Sequence, residues 1–180
     1  MKKTPLNQVH RELGARMVDF GGWDMPVQYS GVIEEHLAVR HAAGIFDVSH
    51  MGEIEVNGDN ALEFIQRLTI NDATKLVDGQ VQYSAMCYPE GGVVDDVTLY
   101  RFNDSHFLFC VNASNTDKDF SWMQQVLAES TLSNVVLTNR SAEFAQFALQ
   151  GPKAEEPESV PAWYIGPIGA TISIISCLPP

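Results

Sequence analysis

The amino-acid sequence predicts an α+β fold, in which helices pack on one side of a largely antiparallel sheet. Three strand-like runs, Val81 to Tyr88, Val93 to Phe102 and His106 to Val111, follow one another with only tight turns between them. Apolar residues recur at helical spacing in Ala61 to Leu68 and in Asn115 to Ala128. With 45% apolar residues, a chain of 180 residues can bury a core of ordinary size.

The N-terminal segment is expected to contain loops, one helix and an extended piece. Residues 4–10 and 16–30 are rich in Gly, Pro and aromatic residues, and we expect them to wrap over a core without regular structure. Gly31 to Gly44 is predicted to be a helix, because its apolar residues recur on one face and its final glycine can end it. That apolar face consists of Ile33, Leu37, Val39 and Ala42. Ile45 to Met51 is predicted to be extended.

The remaining elements complete the predicted sheet. Glu53 to Val56 alternates polar and apolar residues, which is typical of a strand. Pro89 to Gly92 and Asn103 to Ser105 contain turn-forming residues and are predicted to join neighbouring strands. Asn134 to Thr138 and Phe144 to Leu149 are predicted to be two further strands.

Charge and composition argue against several classes of function. The chain has 23 acidic and 11 basic residues and a net charge of −12, whereas nucleic-acid binding requires clustered Lys and Arg. The three cysteines and five histidines show no metal-binding spacing, so we expect no metal. The apolar stretch from Ala162 to Leu178 is too short and too interrupted by Gly and Pro to span a membrane. Without a secretion signal at the N-terminus, we expect a cytoplasmic protein with reduced thiols.

Asp95 and Asp96 are the candidate functional residues, because they are adjacent acids in a predicted apolar strand. Neighbouring side chains of a strand point to opposite faces, so both cannot face solvent if one face is packed. A carboxylate on the packed face needs a cation or hydrogen-bond donors, which makes it a candidate for chemistry. The alternative, that both acids are solvated on a bulged or edge strand, is equally compatible with the spacing.

Asp47, Ser49 and His50 bring three residue types of a catalytic triad within four positions. No glycine elbow surrounds the serine, and side chains this close on an extended chain cannot easily face one another. We therefore expect Asp47 and Ser49 to bond to the local backbone in a turn. We expect His50 to be a buried histidine whose hydrogen bonds are satisfied.

Several long stretches between Thr4 and about Glu155 match, in order, the N-terminal part of one known family. The matching stretches are Thr4-Pro-Leu6, Gly14 to Tyr29, Glu35 to Met51, Gln82-Tyr-Ser84, Gly91-Gly-Val-Val-Asp-Asp96, Val111-Asn112 and Leu149 to Pro152. Taken together, they resemble the T-protein of the glycine cleavage system, an aminomethyltransferase. The resemblance implies that the chain has the N-terminal region of the folate-binding aminomethyltransferase fold.

The resemblance also implies a one-carbon transfer. In this family, the methylene of an aminomethyl group on the lipoyl arm of the H-protein passes to tetrahydrofolate, and ammonia is released. Tetrahydrofolate would be a substrate, and the lipoylated H-protein would be a partner. The first acid of the Gly-Gly-x-x-Asp-Asp motif, Asp95, would be the catalytic residue, facing the folate and stabilising the developing positive charge.

Four other residues match folate-pocket positions of the family. They are Met51, Tyr83, Tyr100 and Asn112. Tyr83 would contact the pterin by packing and through a hydroxyl hydrogen bond. Because Asp96 would serve structure, we expect Asp95→Asn to abolish methylene transfer and Asp96→Asn to have a milder effect.

The resemblance divides the chain into two parts. Residues 1–155 would form the N-terminal folate-binding region, and residues 156–180 a divergent, Pro-rich apolar tail. The family's C-terminal half and its barrel domain have no counterpart in the sequence, so we expect a truncated chain. Two alternatives to aminomethyltransferase activity stay open, namely a non-catalytic folate-binding module and an inactive remnant.

Overall fold

The computed structural model describes residues 1–154 and the strand at 172–174. The described helices are α1 (Asn7–Glu12), α2 (Val32–His41), α3 (Ala61–Leu68) and α4 (Thr116–Glu129). The described strands are β1 (Arg16–Phe20), β2 (Trp23–Gln28), β3 (Gly44–Asp47), β4 (Gly52–Asn57), β5 (Val81–Cys87), β6 (Val93–Asn103), β7 (His106–Val111), β8 (Val136–Asn139), β9 (Ala145–Gln150) and β10 (Ile172–Ile174). This mixture of helices and mainly antiparallel strands confirms the predicted α+β class.

The chain divides into two compact units, one formed by Met1–His50 with the segment from residue 143 onward, and the other by Met51–Ala142. In the first unit, β1 and β2 pair as an antiparallel hairpin, while β9 pairs antiparallel with β3 and parallel with β10. In the second unit, five strands lie in the order β5-β6-β7-β4-β8, and every neighbouring pair is antiparallel. The predicted tail 156–180 lies outside the described residues except for β10, so its boundary stays a prediction.

The prediction of a loop at residues 16–30 is wrong, because this segment forms the hairpin of β1 and β2. Phe20 lies opposite Trp23, so only Gly21 and Gly22 connect the two strands. Both glycines have positive φ angles, 59° and 87°, as a tight two-residue hairpin turn requires. A glycine pair between two extended apolar runs is the hairpin signal that the loop interpretation overlooks.

The short helix α1 was also missed by the prediction of a loop at residues 4–10. Its first residue, Asn7, is buried, and its side-chain amide donates to both the backbone oxygen and Oδ2 of Asp24, at 2.9 Å each. A helix of six residues is too short to be stable through its own propensity. Tertiary hydrogen bonds of this kind therefore explain why a helix forms where the local sequence suggests a loop.

Helix α2 is shorter than the predicted Gly31 to Gly44 and packs differently. Gly44 begins β3 instead of ending the helix, and a Cβ at this position would lie 2.5 Å from Val39 Cγ2. Glycine thus lets β3 approach α2 closely. No residue of α2 is buried, and Ile33 and Leu37 are 77% and 46% exposed. Half of the predicted apolar face, Ile33 and Leu37, is therefore open among the described residues, whereas Val39 and Ala42 are half-buried.

The core of the second unit lies on one face of its five-stranded sheet. Alternate residues of the strands point to this face, where α3 and α4 cover them. The fully buried members with large side chains include Phe64, Phe107, Phe109, Ile54, Ile65, Leu99, Met86 and Met123. Burying each such side chain contributes roughly 1.5–3 kcal/mol to stability, so this layer dominates the folding of the unit. The prediction of helices on one side of the sheet is confirmed.

Strand β6 contains an irregularity beside the acid pair. Asp95 lies opposite Met86, but Val93 lies opposite Cys87, so Val94 is an extra residue in β6. Met86 is fully buried in the core, and residues directly opposite one another share a face of the sheet. Asp95 therefore points to the face that the helices cover.

The described residues contain neither a membrane-spanning helix nor a metal-binding cluster. None of the helices in residues 1–154 is long and apolar enough to cross a membrane. The described residues also contain no group of three or more His, Cys, Asp or Glu side chains that could hold one metal ion. The expectations of no metal, no nucleic-acid partner and a cytoplasmic location stay predictions.

Candidate functional site

The two adjacent acids of β6 lie in different environments. Asp95 is only 7% exposed, whereas Asp96 is exposed to solvent. The prediction that one acid faces the packed side is confirmed, and the alternative that both are solvated is wrong. The acid on the packed side is Asp95.

The Asp95 carboxylate receives two amide hydrogen bonds on one oxygen. Its Oδ1 accepts from Nδ2 of Asn112, at 3.1 Å, and from Nδ2 of Asn115, at 3.0 Å. Asn112 directly follows β7, and Asn115 is the residue that precedes the first turn of α4. The N-terminal end of a helix favours a nearby negative charge, so the strand end and the helix end together stabilise this carboxylate.

A glycine allows the helix end to reach this position. Gly52 begins β4, and a Cβ there would lie 2.8 Å from Val111 Cγ2 and would also collide with the Thr116 side chain. Any larger residue would force the start of α4 away from the sheet. Gly52 therefore helps to set the position of Asn115 relative to Asp95.

A second buried acid, Asp119, contacts Asp95 from α4. The Asp119 side chain has no exposed surface, and Nζ of Lys118 lies 3.4 Å from its Oδ1. The two carboxyl groups lie within hydrogen-bonding reach of each other, and each shifts the pKa of the other. Two carboxyl groups can form a hydrogen bond only when one of them holds a proton. Since Asp95 has the amide donors, Asp119 is the member that holds it.

The pKa values of the pair move in opposite directions. Burial raises the pKa of Asp119 to about 7, and its hydrogen bond to Asp95 and the Asp95 charge act in the same direction. Burial would also raise the pKa of Asp95, but hydrogen bonds from Asp119, Asn112 and Asn115 and the Lys118 charge outweigh it. The pKa of Asp95 is thus below its ordinary value, and at neutral pH this buried group is an anion.

On the exposed face, three polar side chains meet. The Tyr83 hydroxyl donates to Oδ2 of Asp96, at 2.7 Å, and Asn112 Nδ2 lies 3.2 Å from Oδ1 of Asp96. Tyr83 is 58% exposed, and its hydrogen bond to Asp96 raises the pKa of its hydroxyl above the ordinary value. Asn112 contacts both acids, so it links the buried carboxylate to the open one.

The structure brings most of the predicted site residues together at one end of the sheet. Gly52 lies opposite Val111, so the half-buried Met51 reaches the level of Asn112 at the same end. Tyr100 is four residues from Asp96 along β6, a distance of about 13 Å, and lies opposite Val81 and Leu108. Tyr83, Asn112 and the acid pair are therefore one cluster, Met51 borders it, and Tyr100 lies further along the sheet.

Sequence reasoning missed three residues of this site: Asn115, Lys118 and Asp119. A signal for Asp119 exists, because it lies four residues before Met123 and so shares the apolar face of α4 with that fully buried side chain. An acid on an apolar helix face requires a partner, although the sequence does not say which one.

Glu53 is another buried acid of the same unit that the sequence did not single out. It is 2% exposed, and neither carboxylate oxygen has a hydrogen-bond partner among the described residues. Burial raises the pKa of Glu53 to about 8. Glu53 is consequently protonated at neutral pH, in contrast to Asp95.

The Asp47, Ser49 and His50 group of the first unit does not form a triad. The Ser49 N–H donates to Oδ1 of Asp47, at 3.0 Å, which confirms the predicted local bond for Asp47. The prediction is wrong for Ser49, because its hydroxyl bonds to the backbone of Gln146, 97 positions away. Asp47 Oδ2 also lies 2.8 Å from Nε2 of His10, and the Tyr29 hydroxyl lies 2.7 Å from Nδ1 of the same ring. The prediction for His50 is wrong, because its buried Nδ1 has no hydrogen-bond partner in the described residues.

The fold is an α+β domain, with an antiparallel sheet and helices on one of its faces. Its candidate site is a buried carboxylate anion behind an open polar cluster. The model of the family described as "GCVT N-terminal domain" matches residues 6–157, so the chain belongs to this family. The predicted resemblance to the T-protein is thereby confirmed.

Similar proteins are named aminomethyltransferases. An aminomethyltransferase of Desulfitobacterium hafniense is 58% identical over 156 residues, which cover 87% of this chain and 42% of that protein. The aminomethyltransferase of Bacillus subtilis is 50% identical over 155 residues, which cover 86% and 42%. The crystal structure of glycine cleavage system aminomethyltransferase T from Bartonella henselae matches with a TM-score of 0.77 and 36% identity over 85% of this chain and 41% of that one. The chain thus spans 42% of the length of these curated relatives.

Proposed function

We propose that the chain carries the folate-binding part of an aminomethyltransferase of the glycine cleavage system. The reaction would move the methylene of an aminomethyl-lipoyl H-protein to tetrahydrofolate and release ammonia. Membership of the family supports this proposal. The observation that carries it is the open Asp96–Tyr83–Asn112 cluster, which lies next to the ionised, buried Asp95.

The chemistry of the transfer requires negative charge near the reacting carbon. When ammonia leaves, the methylene carbon that remains on sulfur becomes electron-poor. One folate nitrogen then forms a bond to this carbon and loses its proton, and the carbon–sulfur bond breaks with the electron pair left on sulfur. A second folate nitrogen bonds to the same carbon and also loses its proton, which gives methylenetetrahydrofolate, while the protons pass to the ammonia and the sulfur. A fixed carboxylate beside the folate nitrogen stabilises the positive charge that develops there and can accept the proton that the nitrogen loses.

The geometry favours Asp96, not Asp95, for direct contact with the folate. Oδ1 of Asp95 already accepts two amide hydrogen bonds, and the group is 7% exposed. Asp96 is exposed and is held by Tyr83 and Asn112, so a ligand can reach it. We therefore propose that Asp96 contacts the substrate. Asp95 would act through its negative charge from the helix-covered face of the sheet. Folate contacts by Met51 and Tyr100 stay part of the proposal.

A second candidate is a non-catalytic folate-binding module. Asp95, the acid that the family resemblance marks as catalytic, is 7% exposed and already accepts two amide hydrogen bonds on Oδ1. An acid held in this way favours binding of folate at the open cluster without transfer.

Calorimetric titration of the 180-residue chain with tetrahydrofolate tests the proposal. We expect saturable binding that Asp96→Asn weakens roughly 10- to 100-fold, because a charged hydrogen-bond acceptor is worth about 1.5–3 kcal/mol. Asp59→Asn is the matched control, since Asp59 is an exposed acid beyond the opposite end of β4.

Addition of the lipoylated, aminomethyl-loaded H-protein to the same sample separates the two candidates. Formation of methylenetetrahydrofolate with release of ammonia identifies the transferase, and binding without product identifies the binding module. Failure of the wild-type chain to bind tetrahydrofolate contradicts both and supports an inactive remnant.

A further inference from the structure

We infer that Asp119 is a positioning residue, whose proton fixes the Asp95 carboxylate and, through Asn112, the Asp96 group that faces the substrate. This inference rests on the proposed function. Asp119 itself has no exposed surface, so it acts only through Asp95.

The unpaired oxygen atoms identify the contact. Oδ2 of Asp95 and both oxygens of Asp119 are buried and have no hydrogen-bond partner within geometric limits in the described residues, although Nζ of Lys118 lies 3.4 Å from Oδ1 of Asp119. The backbone N–H of Asp119 is used within the helix, where it donates to the Asn115 oxygen at 2.8 Å. The two carboxyl groups are within hydrogen-bonding reach, so a proton on Asp119 would supply the donor that Oδ2 of Asp95 lacks.

The charges around Asp95 and Asp119 favour one negative charge on this pair of carboxyl groups over two. Lys118 is the nearby cation from α4, and it also donates to the backbone oxygen of Val94 in β6. The neighbouring groups on β5 and β6 are the Tyr83 hydroxyl and the Asp96 carboxylate, which add no positive charge. Because the pKa of Asp119 is about 7, the pair changes from one negative charge to two near neutral pH.

A chain of contacts connects the buried proton to the open site. Asp119 donates to Asp95, and the two N–H groups of the Asn112 amide then serve Oδ1 of Asp95, at 3.1 Å, and Oδ1 of Asp96, at 3.2 Å. When Asp119 loses its proton, Asp95 loses a donor and gains a negative neighbour. The Asp95 carboxylate can then turn, and Asn112 loses the orientation that serves Asp96.

The test combines a carboxyl titration with a binding profile on the 180-residue chain. Carbon-13 resonances of labelled Asp carboxyl groups, followed from pH 5 to 9, report the proton directly. We expect one Asp resonance with a midpoint near 7 that is absent from Asp119→Asn. Tetrahydrofolate affinity, measured anaerobically over the same range, should fall several-fold through this midpoint in the wild type.

Two variants of Asp119 distinguish a positioning role from a purely structural role. Asp119→Asn keeps an N–H donor for Asp95 at every pH, so its affinity should stay level from pH 6 to pH 9 instead of falling. Asp119→Leu removes the donor and should weaken binding at every pH. Glu53→Gln is the control for the other raised carboxyl, and the Asp-specific label excludes Glu53 from the titration.

Two results would overturn the inference. One is an Asp119 resonance that titrates at the ordinary value of an Asp. The other is a fall of affinity near pH 7 that Asp119→Asn shares with the wild type. Failure to bind tetrahydrofolate at any pH would overturn the proposed function and the link to the substrate, while the carboxyl titration still decides whether Asp119 holds the proton.

Discussion

The two faces of β6 treat the same residue type in different ways. On the helix-covered face, Asp95 is enclosed, receives two amide donors on Oδ1, lies beside the Asp119 carboxyl, and stays ionised. On the open face, Asp96 is exposed and is held by one hydroxyl and one amide. Asn112 touches both acids. Asp95 is buried and yet ionised. Hydrogen-bond donors, and not exposure alone, therefore decide whether a carboxyl group carries a charge.

Removing the buried acid, Asp95, should give the largest change in the free energy of unfolding. Asp95→Ala leaves the Asn112 and Asn115 amides and Asp119 without their shared partner inside the protein. We expect the free energy of unfolding to fall by about 3–5 kcal/mol, measured by urea denaturation at pH 7. Asp96→Ala is the matched control, and it should cost less than about 1 kcal/mol because Asp96 is exposed. Equal losses for the two variants would contradict the difference between the faces.

Glu53 sharpens the comparison, because it is buried without donors. Its pKa rises to about 8 on folding, so the folded state binds more protons than the unfolded state between the ordinary Glu pKa and pH 8. Stability should therefore fall as pH rises through this window. Glu53→Gln removes the titrating group, and we expect it to raise the free energy of unfolding at pH 9 by about 2–4 kcal/mol.

The same denaturation series at pH 5 provides the control for Glu53. Near its ordinary pKa the carboxyl is protonated in the folded state at little cost, so the advantage of Glu53→Gln should shrink to near zero. An advantage of the same size at pH 5 and pH 9 would show that packing, and not ionisation, distinguishes the two residues.

Tyr83→Phe should give the smallest effect, and only on the open face. The change removes the hydroxyl that donates to Asp96 and keeps the ring. Tetrahydrofolate binding should weaken by a few-fold, in line with about 1 kcal/mol for one hydrogen bond, while the free energy of unfolding stays nearly unchanged. Tyr29→Phe, which removes the hydroxyl beside His10, serves as the control and should leave this affinity intact.

The sequence predicts the second unit better than the first. Helix Ala61–Leu68 and strand His106–Val111 have the predicted bounds, because strong apolar periodicity and flanking turns define them locally. In the first unit, the prediction of loops is wrong for the Gly21-Gly22 hairpin and for helix α1, and α2 buries none of its residues. Those features depend on turn chemistry and on contacts distant in sequence.

Only part of the candidate site could be predicted from the sequence. The alternation of side chains along β6 predicts that one of the two acids is buried, because alternation depends only on the sequence of the strand itself. The choice of partners was not predictable, because Asn115 and Asp119 are 20 and 24 positions away from Asp95 and reach it only through the packing of α4. For the same reason, the sequence could not show that the accessible acid is Asp96.

The side-chain amide of Asn112 offers the most direct test of the central claim, that folate binds where the two acids meet. Proton–nitrogen spectra recorded during a tetrahydrofolate titration should show this resonance shifting and saturating with the bound fraction. The Asn60 amide, which donates to the Ser133 oxygen at 2.8 Å beyond the far end of β4, should not move. Binding of tetrahydrofolate with an unchanged Asn112 amide would contradict the account.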